Sequence, residues 1–268
     1  NGVHAPTWVS LLLRYLLEKY VGHDWETKLR NPEVWAEAIA RIPDEKLWAA
    51  HMRLKERLVA FVRQRSTQSR IAAGERTDYI DAASTMFDPA ALTIGFARRV
   101  AGYKRWNLLL TDQQRLLRLM NNEERPVQFV FAGKAHPQDE GSKLVLQQLA
   151  QWKYDPAVRQ RAVFLEDYDQ EIARQLVQSV DVWLNVPRRP LEASGTSGEK
   201  VAINGGLNLS ILDGWWLEGY DGTNGFAISN GTDSTSVAEI DAVDAESLYR
   251  TLEQEVVPLF YLRDNDGL

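Results

Sequence analysis

Asp181-Val-Trp-Leu-Asn-Val186, then Glu192-Ala-Ser-Gly-Thr-Ser-Gly-Glu-Lys200, then Leu207-Asn-Leu-Ser-Ile-Leu212 follow one another closely in the chain. They read as strand, glycine-rich loop with a helix start, and strand. In the middle stretch Ser194, Gly195, Thr196 and Gly198 can bare successive backbone N–H groups, because little side chain shields them and glycine adopts positive φ freely. Such groups at a helix start hold anions, phosphates above all. Lys200 is expected just inside the helix that follows, through Val201, Ala202 and Ile203. A lysine over an apolar turn beside a phosphate cradle can carry a Schiff base to a phosphorylated aldehyde. From the spacing alone, a glycine-rich turn with a solvated lysine is the equal alternative.

Working outward, the same alternation extends in both directions. Leu92–Phe96, Val127–Ala132, Ala162–Leu165, Asp181–Val186, Leu207–Leu212 and Phe226–Ser229 are short apolar or β-branched runs. Helical stretches over Trp106–Met120, Ser142–Trp152 and Gln170–Ser179 separate most of them. Strands spaced in this way predict right-handed βαβ units and a Rossmann-like parallel sheet with flanking helices, an α/β fold, over residues 91–268. Glu246 to Phe260 is expected to close the chain as a helix.

Residues 1–90 read as a helical lead-in packed on that sheet. Trp8 to Tyr20 is apolar nearly all round and predicts one buried helix. Pro32 to Ile42 predicts a second, with Asn31 as its cap and Pro32 at its first position. From Pro43 to about Gln68, Leu47, Leu54, Leu58, Phe61 and Val62 keep to one helical stripe. Gly74 to Asp88 shows no period and reads as a link.

Composition narrows the function. A chain of 268 residues can bury a sizeable core. Its 44% apolar and 25% charged residues are ordinary for a globular protein. A net charge of −6 argues against a nucleic-acid partner. Cysteine is absent, which excludes disulfides and thiolate metal sites. His4, His23 and His51 lack metal-ligand spacing, so no metal site is expected. No apolar run is long enough to cross a membrane and no signal peptide opens the chain, so a cytoplasmic location without membrane contact is expected. A start on Asn-Gly without methionine suggests an excised fragment. Of nine tryptophans, Trp183, Trp215 and Trp216 crowd the motif region; packing is their expected role.

A second cationic constellation, Arg98, Arg99, Lys104 and Arg105, follows the strand Leu92–Phe96 directly. At the carboxyl end of a strand in an open α/β sheet, such a cluster lies where ligands bind. Unless they face an anion, four cations so close repel one another or spread into solvent. Gly133-Lys134-Ala-His136-Pro137 also follows a strand end, but reads equally as a structural turn. Asp213-Gly214 reads as a turn, and Glu166-Asp167 lacks the partner a glycosidase carboxylate needs.

The block EASGTSGEK, followed by Asn204-Gly205 and by Leu207-Asn-Leu-Ser-Ile-Leu-Asp213-Gly214-Trp215-Trp216, resembles the pyridoxal-phosphate segment of the α-glucan (glycogen, starch, maltodextrin) phosphorylases, and most of all their bacterial and archaeal variety. Asn1-Gly-Val-His4, Thr93-Ile-Gly-Phe-Ala-Arg-Arg99 with Tyr103-Lys104-Arg105, and Phe131-Ala-Gly-Lys-Ala-His-Pro137 agree in order and spacing. The resemblance spans the whole chain. One departure is Glu199, which stands where the family usually has methionine.

This resemblance implies the C-terminal, cofactor-bearing half of a two-lobed enzyme of the GT-B arrangement, with pyridoxal 5'-phosphate on Lys200. It implies that Thr196, Arg98, Tyr168 and Gly195 hold that cofactor, and that Arg99 and Lys104 hold the substrate phosphate. Asn1, Tyr103, Glu192, Ser194 and Gly195 correspond to residues that hold the sugar. Asp169 stands where better-known members carry an arginine, so that phosphate contact is not carried over. The implied reaction is phosphorolysis of a terminal α-1,4 bond of glycogen or maltodextrin to glucose 1-phosphate. The implied partners are α-1,4-glucan, inorganic phosphate and the missing N-terminal lobe; a homo-oligomer is compatible with the sequence. Two rivals have other chemistry. A nucleotide-sugar glucosyltransferase of the same fold would lack the Schiff-base lysine, and a non-catalytic glucan-binding relative would have lost activity.

Overall fold

Six short strands pair side by side, every one parallel to its neighbours, in the order β3-β2-β1-β4-β5-β6. The computed structural model describes residues 2–152, 154–158, 160–228 and 234–262. In chain order, α1 (Ala5–Trp8), α2 (Leu11–Leu16), α3 (Trp25–Lys28), α4 (Pro32–Ile39), α5 (Asp44–Ala72) and α6 (Thr77–Thr85) precede the sheet. Then come β1 (Leu92–Ala97), α7 (Gln113–Met120), β2 (Val127–Ala132), α8 (Glu140–Trp152), β3 (Ala162–Leu165), α9 (Gln170–Ser179) and β4 (Val182–Asn185). The remainder is α10 (Thr196–Ala202), β5 (Leu207–Ile211), α11 (Trp216–Gly219), β6 (Gly225–Ile228), α12 (Val237–Thr251) and α13 (Val257–Tyr261). The α/β class with a parallel, helix-flanked sheet is the one expected from the strand spacing.

Burial explains why the strands read as nearly unbroken apolar runs. Every residue of β1, β2 and β4 is buried, because helices cover both faces. On one face Ile94, Phe96, Phe129, Phe131 and Leu184 pack with Leu116 of α7, Leu149 of α8 and Leu248 of α12. On the other, Val130, Ala132 and Trp183 pack with Leu58 and Val62 of α5, Ile172 and Leu176 of α9 and Val201 of α10. Residues from α2 to α4 form a separate cluster around Trp25, Leu17 and Val21, joined by Leu47 of α5 and Ile203 after α10.

Several elements differ from the sequence expectation, each for a local reason. The single helix expected over Trp8–Tyr20 is broken at Val9 and Ser10. The Asn204 side chain bonds to both the Trp8 carbonyl and the Ser10 N–H there, while the Ser10 hydroxyl caps α2 by accepting from Leu13 N. Nor is it buried all round: Leu11 and Tyr15 are 76% and 60% exposed. The expected link over Gly74–Asp88 contains α6. Its weak period follows from burying only Tyr79 and Ala83 within the helix. Arginines of α5 fix it in place: Arg70 donates to the Tyr79 carbonyl and lies 3.8 Å over its ring, and Arg63 donates to the carbonyls of Met86 and Phe87.

The helix expected over Trp106–Met120 opens as a 3₁₀ turn (Leu108–Asp112). It becomes α-helical only where the Asp112 side chain accepts from Arg115 N. The last helix begins at Val237, earlier than expected, because its first turns are largely exposed and show the sequence no apolar period. It then passes through a π turn (Leu252–Val256), just before Pro258, whose ring removes a helical donor. Asn31 caps α4 through bonds from Glu33 N and Val34 N, as its sequence position predicts.

Candidate active site

Strand order reverses between β1 and β4, and in doubly wound sheets the crevice at the carboxyl ends of two such strands receives ligands. Both motifs meet there. Arg98 follows β1, and Asn185 ends β4 before the loop to Glu192. Glu192 is the centre of the cluster. Its Oε2 accepts from Arg98 NH2 at 2.7 Å and from Lys104 Nζ, with all three side chains almost wholly buried. Arg98 also donates through NH1 to Asn185 Oδ1, and Asn185 Nδ2 donates to the Ser210 hydroxyl on β5 at 3.0 Å. Burial holds the Arg98 guanidinium below its usual range, opposed by the charge of Glu192. Lys104 lies 4.6 Å over the Tyr103 ring. Tyr168 is half-buried, and that burial pushes its phenol up, opposed by the nearby Arg98 charge.

The glycine loop closes the other wall. Gly195 takes φ 83°, left-handed, and turns the chain into α10, which opens at Thr196. Lys200 therefore sits in the second turn, deeper in the helix than the sequence suggested. Gly198 admits no side chain: a Cβ there would stand 2.4 Å from Asn208 Oδ1 and 2.9 Å from Trp215 Nε1. The close approach lets Asn208 Nδ2 donate to the Gly198 carbonyl at 3.2 Å, fixing α10 on β5. Behind the loop Asp213 accepts from Glu192 N at 2.9 Å, and the Ser194 carbonyl accepts from Trp215 N at 2.8 Å. The Ser194 hydroxyl and Arg98 Nε are buried and make no hydrogen bond among the described residues. Such orphaned donors mark a place built for a ligand or for water.

The Lys200 ammonium lies 4.1 Å over the indole of Trp8. Its pKa is lowered by burial, with the Glu199 charge acting in the opposite sense. A larger neutral fraction makes it a better nucleophile toward a carbonyl.

Glu192, Arg98, Lys104 and Tyr103 thus share one cluster, with Tyr168 beside Arg98, and Ser194, Gly195, Thr196 and Lys200 share one loop and helix. Arg99 is exposed and unpaired among the described residues. Asn1 lies outside the described residues. Arg105, grouped with the anion-binding cations at the sequence level, does not belong with them. It is buried, and donates to the carbonyls of Val186 and Pro187 and to Asp241 and Asp244. Gly133 itself is required by close packing, since a Cβ there would meet the Arg98 carbonyl at 2.3 Å. Asp169 caps α9 by accepting from Ile172 N. A cavity of about 750 Å³ opens at the opposite, amino-terminal edge, lined by Trp48, Leu92, Val182, Leu207 and Phe260. Despite its size it is mostly apolar and carries none of these residues.

The family model for carbohydrate phosphorylase matches residues 1–253. The chain belongs to the carbohydrate phosphorylase family. It is 46% identical to the glycogen phosphorylase of Aquifex aeolicus, covering all of this chain and 38% of that protein. Similarity to the maltodextrin phosphorylase of Thermococcus litoralis is 43% over 97% of the chain and 31% of the relative. The glycogen phosphorylase of Mycobacterium tuberculosis is 46% identical over the whole chain and 31% of its own length. The chain thus spans about a third of these curated relatives.

Within this member of the carbohydrate phosphorylase family, sequence reasoning missed Trp8, Asn185 and the bracing role of Asp213. Asn185 gave one signal, a polar residue at the carboxyl end of a buried apolar strand, where an unbonded amide would be costly. Among the described residues no helix is long and apolar enough to cross a membrane, and no three metal-ligating side chains cluster.

Proposed function

We propose that this chain is the cofactor-bearing half of an α-glucan phosphorylase. Its complete gene product would release glucose 1-phosphate from the end of an α-1,4-glucan with inorganic phosphate, in the cytoplasm. On this reading residues 1–90 are a lead-in to the Rossmann-like domain of 91–268, and a second lobe closes the cleft. The observation that carries the reading is a glycine loop that stands beside the buried Arg98–Glu192–Lys104 cluster at the switch point of the sheet and leads directly into the helix bearing the half-buried Lys200.

Pyridoxal 5'-phosphate fits what is there. Lys200 offers an amine whose neutral form burial favours. The unpaired Ser194 hydroxyl and Arg98 Nε offer buried donors. Lys200, Thr196, Arg98, Tyr168 and Gly195 would hold the cofactor. When bound, it would supply a phosphate able to exchange a proton with the substrate phosphate. The chain's own residues would do the rest. Arg99 and Lys104 would draw in the substrate phosphate, and their charge would let two phosphates approach, since like charges in contact cost several kcal/mol at an effective ε of about 20. Glu192 and Tyr103, with the N–H groups of Ser194 and Gly195 and with Asn1, would orient the sugar. Positioning and preorganised charge would then carry the rate, with no protein nucleophile.

The test is an assay of the complete gene product with glucan, phosphate and pyridoxal phosphate. Glucose 1-phosphate is the expected product; turnover of a nucleotide sugar instead would overturn the reading. The 268-residue chain alone is expected to show no measurable phosphorolysis, because it holds only one wall of the cleft.

Arg99→Gln and Lys104→Gln are each expected to raise the KM for phosphate while changing glucan affinity little. A charged hydrogen bond contributes about 1.5–3 kcal/mol, so the rise should be roughly tenfold to a hundredfold. An effect confined to glucan affinity would show that the roles are wrongly assigned.

A further inference from the structure

Asn204 is buried after the end of α10, and its side chain ties the distant segment of residues 8–10 to the Lys200 carbonyl one turn back in that helix. Its Nδ2 donates to the Trp8 carbonyl at 2.9 Å and to the Lys200 carbonyl at 2.8 Å, and its Oδ1 accepts from Ser10 N at 2.8 Å. The Trp8 carbonyl takes a further bond from Gln178 Nε2 of α9 at 3.0 Å. One amide thus stands in for the backbone partners that residues 8 and 10 would have in a continuous helix. The break between α1 and α2 follows, and it turns the Trp8 indole toward α10. There the ring underlies the Lys200 ammonium at 4.1 Å.

We propose that Asn204 is a positioning residue for the cofactor lysine: by gripping the backbone of both Trp8 and Lys200, it sets the indole against the Lys200 amine and fixes where that amine points. The proposal rests on reading Lys200 as the cofactor lysine. An exposed aromatic ring over a cation contributes about 0.5–1 kcal/mol and more when desolvated. That is enough to hold one rotamer of a flexible side chain. A reacting amine misplaced by 1 Å loses up to about a hundredfold in rate. Hence the staple acts on chemistry without touching the reacting atoms.

Two measurements on the complete gene product test this. First, the cofactor-free protein is acetylated over a range of pH and each lysine is followed by mass spectrometry. Wild-type Lys200 should titrate below the ordinary lysine value of 10.5, because burial disfavours its charged form while Glu199 is the charged group opposing that shift. In Asn204→Ala and in Trp8→Leu the Lys200 midpoint should rise toward that ordinary value, because the gain in hydration outweighs the lost attraction of the ring for the ammonium. The double variant should move it no further, since both changes remove one contact. Second, uptake of added pyridoxal phosphate, followed by absorbance, should slow about tenfold or more in each variant.

An unchanged Lys200 midpoint in folded Asn204→Ala protein would overturn the proposal, as would shifts that add in the double variant. Should Asn204→Ala fail to fold, Trp8→Phe and Trp8→Leu decide: phenylalanine should preserve the wild-type profile and leucine should lose it. If neither moves it, the proposal fails. Midpoint shifts in the variants, together with a wild-type protein that takes up no pyridoxal phosphate, would refute the phosphorylase reading and leave the grip of Asn204 on Lys200 standing.

Discussion

Replacing Lys200 with alanine is expected to lower phosphorolysis by the complete gene product at least about a thousandfold, roughly 4 kcal/mol of barrier. Without the amine the covalent hold on the cofactor would be lost, since Lys104, the other lysine of the cluster, is tied to Glu192 in a buried ion pair, and with it would go the phosphate that faces the substrate. Lys200→Arg should lose as much, because a guanidinium keeps the charge but forms no such link. Borohydride reduction of the wild-type protein followed by peptide mapping should place the label on Lys200. A label elsewhere, or undiminished activity in Lys200→Ala, would remove Lys200 from the mechanism.

The fold should survive that change. Burial lowers the folded-state pKa of Lys200 below its ordinary 10.5. The protonated amine therefore costs stability at pH below the folded value, and the cost disappears as pH rises through it toward 10.5. Lys200→Ala should accordingly melt at or slightly above the wild-type temperature near neutrality, and the difference should shrink in alkali. A large fall in melting temperature would mean that Lys200 is structural.

What was legible in the sequence follows from the range of each interaction. The strands carried their own signal, because both faces of β1, β2 and β4 are covered and the runs are uninterrupted. The glycine loop was legible because Gly195 and Gly198 answer to backbone geometry that few other residues tolerate. The break at Val9 was not, because its cause is Asn204, 194 residues from Ser10 along the chain. Likewise α6 is held by arginines of α5, and its own residues show little period. The same limit explains Arg105. Sequence proximity grouped it with Arg98, Arg99 and Lys104, but its partners Asp241 and Asp244 lie on α12 and arrive only when the chain is folded.

Arg105→Ala is therefore expected to act on stability and only secondarily on phosphate. Arg105 is 2% exposed and its guanidinium spends its donors on two carbonyls and two carboxylates, with Nε on Val186 O at 2.8 Å and NH1 on Asp244 Oδ2 at 2.7 Å. Alanine would strand buried Asp244 without its cation and leave the Val186 and Pro187 carbonyls without these donors. Removing one partner of a buried pair costs about 3–5 kcal/mol, which for a chain of this size is a fall of roughly 6–20 °C in melting temperature. Arg105→Lys should recover part of this by restoring the charge but not the fork that spans four acceptors. Adding Asp244→Asn to Arg105→Ala should cost less than the two single changes summed, because the stranded carboxylate is then gone. The loop toward Glu192 begins at the carbonyls Arg105 holds, and Lys104 immediately precedes it. The surviving enzyme at low temperature should therefore show only a modest rise in the KM for phosphate. An Arg105→Ala protein with wild-type melting temperature and a severe phosphate defect would instead return Arg105 to the anion-binding cluster.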